Sequence, residues 1–209
     1  EIGGVYNNWE LSFFMNGYTN RLVSAQGIVT QNVWHHVAAV RKDGILTLYL
    51  NGNSVASELR TQNVRASAAM LGIGEYGPSW GTTPSYYCMN GYMSDVRVTK
   101  GVARYTTNFT PPRRQLESDS NTKLLIHFNR NDTTFIDSSP SAHTITAYGN
   151  AKQLCSPCGS GVAYFDGTRD YLSSPNHADF QLGNADFTIE SYIYYITQPT
   201  AASTKAGPI

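Results

Sequence analysis

Two hairpin turns with alternating residues on either side constrain this chain more than any other feature. Trp34 to Val40 reads Trp-His-His-Val-Ala-Ala-Val, Asp43-Gly44 follows, Ile45 to Leu50 returns, and Asn51-Gly52 turns the chain again. Asp-Gly and Asn-Gly tolerate the positive φ angles that a tight two-residue hairpin needs. Leu46, Leu48 and Leu50 share one side of the returning segment, and Ile45, Thr47 and Tyr49 the other. A period of two is the signature of a strand and not of a helix. The stretch therefore predicts an antiparallel meander.

The same pattern recurs along the chain. Trp9 to Met15 alternates Leu11, Phe13 and Met15, and Lys123 to Phe128 alternates Leu124, Ile126 and Phe128. Ala68 to Ile73, Gly91 to Thr99, Thr144 to Tyr148 and Val162 to Phe165 read as further strands. Phe187 to Ile196 reads as the longest, apolar on both sides as a central strand should be. Gly101 to Tyr105 is long enough for one helical turn, and Pro111-Pro112 closes the first unit because proline supplies no ladder donor. Residues 113–121 read as a polar connector in which Arg113-Arg114 is solvated, and residues 197–209 as a loop. Many short strands without βαβ alternation point to an all-β sandwich or barrel and away from an α/β enzyme. Eighteen glycines and fourteen tyrosines, with abundant Asn, Ser and Thr, suit many turns and a polar recognition surface.

Charge narrows the partners. Fifteen acidic and fifteen basic residues cancel, with no basic run to track nucleic acid or an anionic membrane. No apolar run approaches the roughly 18 residues of a membrane span. The chain starts with Glu1 and not Met, which suggests a fragment or a processed product. Cys155-Ser-Pro-Cys158 is one C-x-x-C without a second pair, so free thiols or a local disulfide are expected before zinc, redox chemistry or a bridge to Cys88.

Catalytic patterns are missing. Asp186 and Glu190 lie on one strand face roughly 13 Å apart, beyond the span of a glycosidase carboxylate pair. His35 and His36 point to opposite faces of their strand and are expected to pack as structural histidines. There is no H-E-x-x-H and no phosphate loop.

These segments resemble the laminin-G-like, concanavalin A-like lectin jelly roll, in the form found in phage tail and bacterial surface proteins. Trp34 to Arg41 with Leu46 to Gly52 looks like the middle of such a domain, and Gly91 to Tyr105 with Phe109 to Pro112 like its end. Thr122 to Phe128, Asp137 to Ser139, Ala142 to Ala147, Tyr164 to Leu172 and Asp186 to Glu190 look like its beginning. The E-x-D-x-x-E arrangement of lectin-fold glucanases does not occur. The chain thus carries a back half (1–112), a linker (113–121) and a front half (122–209). That order suits a window across two tandem domains, which is favoured, or one circularly permuted sandwich.

The resemblance implies an all-β antiparallel sandwich that binds rather than catalyses. It is expected to be a carbohydrate-binding or adhesion module of a virion tail or cell surface. Its partners would be cell-surface glycans and neighbouring domains or copies, without nucleic acid or membrane insertion. The alternatives are a structural spacer or oligomerisation domain of a fibre, and an accessory domain of an exported glycan-active enzyme. Tyr76, Trp80, Tyr86 and Tyr87, in a Gly/Pro-rich loop, are the candidate ligand-binding residues. Asp137, Asp166 and Asp170 offer oxygens for a structural calcium ion. Trp34 is assigned to the core, and Tyr192, Tyr194 and Ile196 to a second packed surface.

Overall fold

A computed structural model describes residues 2–6, 9–14, 21–64, 68–75, 88–113, 115–129, 132–155 and 161–197. Its largest element is an antiparallel sheet of eight strands. The meander supplies β4 (Trp34–Lys42), β5 (Ile45–Leu50) and β6 (Asn53–Leu59). Both connecting turns have two consecutive left-handed residues: Asp43 at φ 48° and Gly44 at 81°, then Asn51 at 51° and Gly52 at 80°. That geometry matches the strand twist, which is why these dipeptides sit here. Beside β4 runs β14 (Phe187–Tyr195), and beside β14 runs β8 (Asn90–Lys100). The far edge of β8 carries two strands end to end. Residues 90–93 pair with β12 (Gly161–Asp166), residues 96–99 with β9 (Thr122–Ile126), and β11 (Lys152–Cys155) closes the edge beyond β12.

Two three-stranded sheets form the second layer. One joins β1 (Ile2–Tyr6), β2 (Glu10–Phe14) and β3 (Arg21–Val23). The other joins β10 (Thr146–Tyr148), β13 (Tyr171–Ser174) and β7 (Leu71–Ile73). Leu11, Phe13 and Leu22 from the first, and Ile73 and Leu172 from the second, share one apolar cluster with Val37, Leu48, Val96, Ile126, Phe165 and Phe187 of the large sheet. The Phe13 and Phe187 rings stack across it at 5.7 Å. Each fully buried side chain of this size contributes about 1.5–3 kcal/mol by leaving water. The result is the all-β antiparallel sandwich that the alternation implies. Strands from either side of residues 113–121 interleave in the large sheet, with β14 seated between β4 and β8.

Three expectations are corrected. The longest strand is β8, with 11 residues, not β14, with 9. It reaches that length through a bulge: Ser94 opposes Tyr192 and Val96 opposes Ser191, leaving Asp95 unpaired at φ 45°. Nor is β14 apolar on both sides. Phe187, Ile189, Ile193 and Tyr195 face the core, whereas the buried Thr188 and Glu190 lie on the other face. Residues 101–105 form no helical turn; they begin an irregular cover over the outer face of the large sheet. The stretch read as a connector is also anchored. Leu116 is buried and its N–H donates to the bulged Asp95 at 2.9 Å, while Arg97 donates to the Glu117 carbonyl at 2.8 Å. Arg113 is exposed, as expected.

Candidate functional site

The outer face of the large sheet divides into a sealed part and an open part. The sealed part lies under residues 101–112. Phe109 N–H donates to the Gly52 carbonyl at 2.9 Å, and the Tyr105 and Phe109 rings stack at 3.6 Å. Only glycine fits at 52, because a Cβ there would stand 1.8 Å from the Phe109 carbonyl oxygen. Under the cover, Ala38, Val40 and Tyr49 form a second apolar cluster with Ala103, Tyr105 and Phe109.

Glu190 is the centre of this sealed part. Arg97 Nε and Nη2 donate to its Oε1 at 2.9 and 2.6 Å. Tyr105 Oη donates to its Oε2 at 2.7 Å, and His36 Nε2 lies 3.1 Å from the same oxygen. Burial pushes the Glu190 pKa up, but the His36 hydrogen bond, the Arg97 and His36 charges and the Tyr105 hydroxyl outweigh it, and the net shift is downward. The Tyr192 hydroxyl, which donates to the Pro112 carbonyl, is pushed up to about 12 by burial and by Glu190. A carboxylate beside an imidazole has the composition of an acid–base pair. Here both groups are closed off by the cover, and Arg97, Tyr105 and His36 occupy both oxygens of Glu190. The arrangement locks strands together. The neighbouring His35 lies on the opposite face, held by Thr30 and Asn51, as the alternation requires. Burial lowers its pKa despite the hydrogen bond with Thr30.

The open part begins two residues along the same strands. Tyr194 stands directly opposite Trp34 on one side and Tyr92 on the other, Tyr92 opposite Tyr164, and Tyr164 opposite Lys152. The ring centroids are 5.5 Å apart for Trp34–Tyr194, 5.8 Å for Tyr92–Tyr194 and 5.2 Å for Tyr92–Tyr164, and Lys152 Nζ lies 5.6 Å from the Tyr164 ring. Five adjacent strands therefore present one row of side chains, roughly 19 Å long at the usual strand spacing. Trp34 is 42% exposed and the three tyrosines are half-buried. This corrects the core assignment of Trp34: it is the first residue of β4, on the outer face, just past the edge of the cover. Of the second packed surface expected of Tyr192, Tyr194 and Ile196, only Tyr192 lies against the cover; Tyr194 belongs to the open row, and Ile196 lies just past the end of β14.

The candidate loop residues Tyr76, Trp80, Tyr86 and Tyr87 lie outside the described residues. The loop's flanks are joined by a bridge between Glu75 and Cys88 and by Met89 N–H donating to the Gly74 carbonyl at 2.8 Å. The candidate calcium ligands sit in hydrogen-bonded turns. Asp137 accepts from the Leu125, Ser139 and His143 amides and from the Ser139 hydroxyl, two donors on each oxygen. Asp170 is fully buried and accepts from the Asn150 and Asp166 amides, while Asp166 accepts from the Thr168 amide. Burial, followed by the neighbouring Asp166 carboxylate, raises the Asp170 pKa although its amide partners oppose the shift. A calcium ion collects six to eight oxygens. These carboxylates meet N–H donors instead, so the described residues do not fit such a shell.

Among the described residues, no helix is long and apolar enough to cross a membrane. Residues 3–104 match a laminin-G family model described as the concanavalin A-like lectin/glucanases superfamily. No curated protein and no solved structure matches the chain.

Proposed function

We propose that this chain, with its concanavalin A-like, laminin-G-like domain, is a non-catalytic module that binds carbohydrate on the open aromatic row. The observation that carries the reading is the alignment of Trp34, Tyr194, Tyr92 and Tyr164 in one register across four strands. The apolar C–H faces of sugar rings stack on aromatic rings, and tyrosine hydroxyls at the row's margin hold the sugar hydroxyls. A row of rings suits an extended chain of sugars better than a single residue. Nucleic-acid bases also stack on aromatic platforms, but such platforms line basic grooves. Lys152 is the one cation in this row, and the whole chain is neutral. A glycan-bearing cell surface is the partner that fits, with the module displayed on a virion tail or an exported surface protein.

The test is a glycan array with the intact chain, followed by calorimetry on the best oligosaccharide. Trp34→Ala and Tyr194→Ala are each expected to weaken binding about five- to thirtyfold, the loss of about one to two kcal/mol of stacking. Unfolding midpoints should stay close to wild type, because Trp34 is exposed. An array without binders, or affinity unchanged in both variants, removes the reading. A spacer role is the rival, and it is favoured by the exposed apolar pair Ile45 and Leu59, 45% and 65% exposed, on the meander's outer edge. Concentration-dependent self-association together with an empty array supports it.

A further inference from the structure

A second cluster lies away from the sheet face, where two loops meet. The turn after β9 brings in His143, whose amide is held by Asp137 Oδ2 at 2.8 Å. The connection from β13 to β14 contains a short 3-10 turn, Ala178–Phe180, capped by His177. Lys100 Nζ ties this turn to the large sheet by donating to the Ala178 carbonyl at 2.7 Å. Asp179 Oδ2 lies 3.1 Å from His143 Nε2 and 3.3 Å from His177 Nδ1, and it accepts from Ser141 Oγ at 2.7 Å. The imidazole rings are 4.7 Å apart, and the Phe180 ring packs on His143 at 4.6 Å. One ligand atom from each of His143, His177 and Asp179 falls within 4.8 Å of the other two.

We infer that His143, His177 and Asp179 form a binding site for a borderline divalent transition metal, with zinc as the natural occupant. Two imidazole nitrogens and one carboxylate oxygen select zinc, cobalt, nickel or copper over calcium and magnesium, which prefer oxygen throughout. A tetrahedral zinc ion holds its ligand atoms about 3.3 Å apart. The two separations at Asp179 Oδ2 already match that value. The outward side of His177, whose side chain is 54% exposed, leaves the fourth position to water or to a ligand from another molecule. The Asp179 amide now donates to His177 Nδ1 at 3.2 Å, and that weak bond is exchanged for the metal. The bound ion clamps the 137–144 turn to the 177–181 turn. Residues Asp137, Ser141 and Lys100 act as positioning groups for it, since each fixes a ligand or its backbone.

The experiment is calorimetric titration of the metal-free intact chain with zinc chloride, with cobalt absorption as a spectroscopic readout of nitrogen and oxygen coordination. One zinc ion per chain is expected. His177→Ala, at an exposed position that leaves folding intact, and Asp179→Asn should each weaken binding at least about tenfold, since even removing a residue behind a ligand costs that much. The double variant Cys155→Ser with Cys158→Ser should bind as wild type does. Absence of stoichiometric zinc, zinc retained at full affinity in both ligand variants, or zinc lost in the cysteine variant each overturns the inference.

Discussion

Replacing Arg97 with methionine leaves Glu190 buried without its principal cation, and the cost follows from the contacts. Side-chain exposure is 7% for Arg97 and 0% for Glu190, so solvent screens little of their attraction. Methionine fills the space of the arginine stem but removes both donors to Oε1 and the donor to the Glu117 carbonyl. Breaking one side of a buried pair costs about 3–5 kcal/mol. A chain of this size holds about 5–15 kcal/mol in total, so the variant should lose about a fifth or more of it. The unfolding midpoint should fall by about 6–20 °C, at 2–4 °C per kcal/mol. Glu190 also fixes the pH dependence. Its native pKa is depressed, so its contribution is present above the ordinary 4.5 and is lost as pH falls through the native value. In the variant, the Arg97 charge no longer opposes burial and the Glu190 pKa lies above its wild-type position, so the deficit is greatest at neutral pH and shrinks as Glu190 protonates. Urea unfolding at pH 7, 5 and 4, followed by tryptophan fluorescence, should show the gap between the two proteins narrowing toward pH 4. Adding Glu190→Gln to Arg97→Met should restore part of the loss at pH 7. A loss below about 1 kcal/mol, or a gap independent of pH, refutes the assignment of Glu190 as a charged centre locked by Arg97.

Two further substitutions test the frame around the sites. Gly52→Ala forces a Cβ to 1.8 Å from the Phe109 carbonyl at a φ of 80°. It should cost at least about 1–3 kcal/mol and diminish the near-ultraviolet signal of the Tyr105–Phe109 stack. An unaltered spectrum would show that the cover does not depend on this approach. Asp137→Ala strands three amides and a hydroxyl around a buried turn, and thermal unfolding should register about 2–4 kcal/mol of destabilisation. A near-neutral result removes Asp137 as the keystone that orients His143.

The meander was legible because its information is local. Asp43-Gly44 and Asn51-Gly52 state the turns, and Leu46, Leu48 and Leu50 state the inner face. The buried network was not legible, because its members come from four separate stretches. His36, Arg97, Tyr105 and Glu190 meet only once β14 is placed between β4 and β8. A glutamate between Ile189 and Ser191 gives no local sign that it is buried and paired. The same holds for the aromatic row: residues 34, 92, 164 and 194 are aligned by register, which pattern within a single strand does not reveal. Trp34 was assigned inward because a large aromatic opening an apolar strand is usually core. Its even position, shared with Ala38 and Val40 on the outer face, carried the opposite information. The signal for the covering segment was also present, in Tyr105 and Phe109. It read as the end of a domain because consecutive prolines cannot extend a strand, and a covering loop needs no strand.

The sealed network and the open row depend on the same register, and this links stability to recognition. Trp34 and His36 are alternate residues of β4, and Glu190, Tyr192 and Tyr194 are alternate residues of β14. A slip of β14 against β4 or β8 by one residue would turn Glu190 into the apolar core and Tyr194 away from Trp34 and Tyr92 at once. The buried charge makes that slip very costly, whereas an all-apolar outer face would tolerate it. The network therefore fixes the spacing of the rings that a ligand would meet, and a rigid row binds without the entropic cost of ordering its side chains. On this reasoning a change at Arg97 that unbalances Glu190 should reach the aromatic row without touching it. If the row is the recognition surface, Arg97→Met should weaken oligosaccharide binding in those molecules that remain folded, and the Glu190→Gln second change should restore it together with the stability.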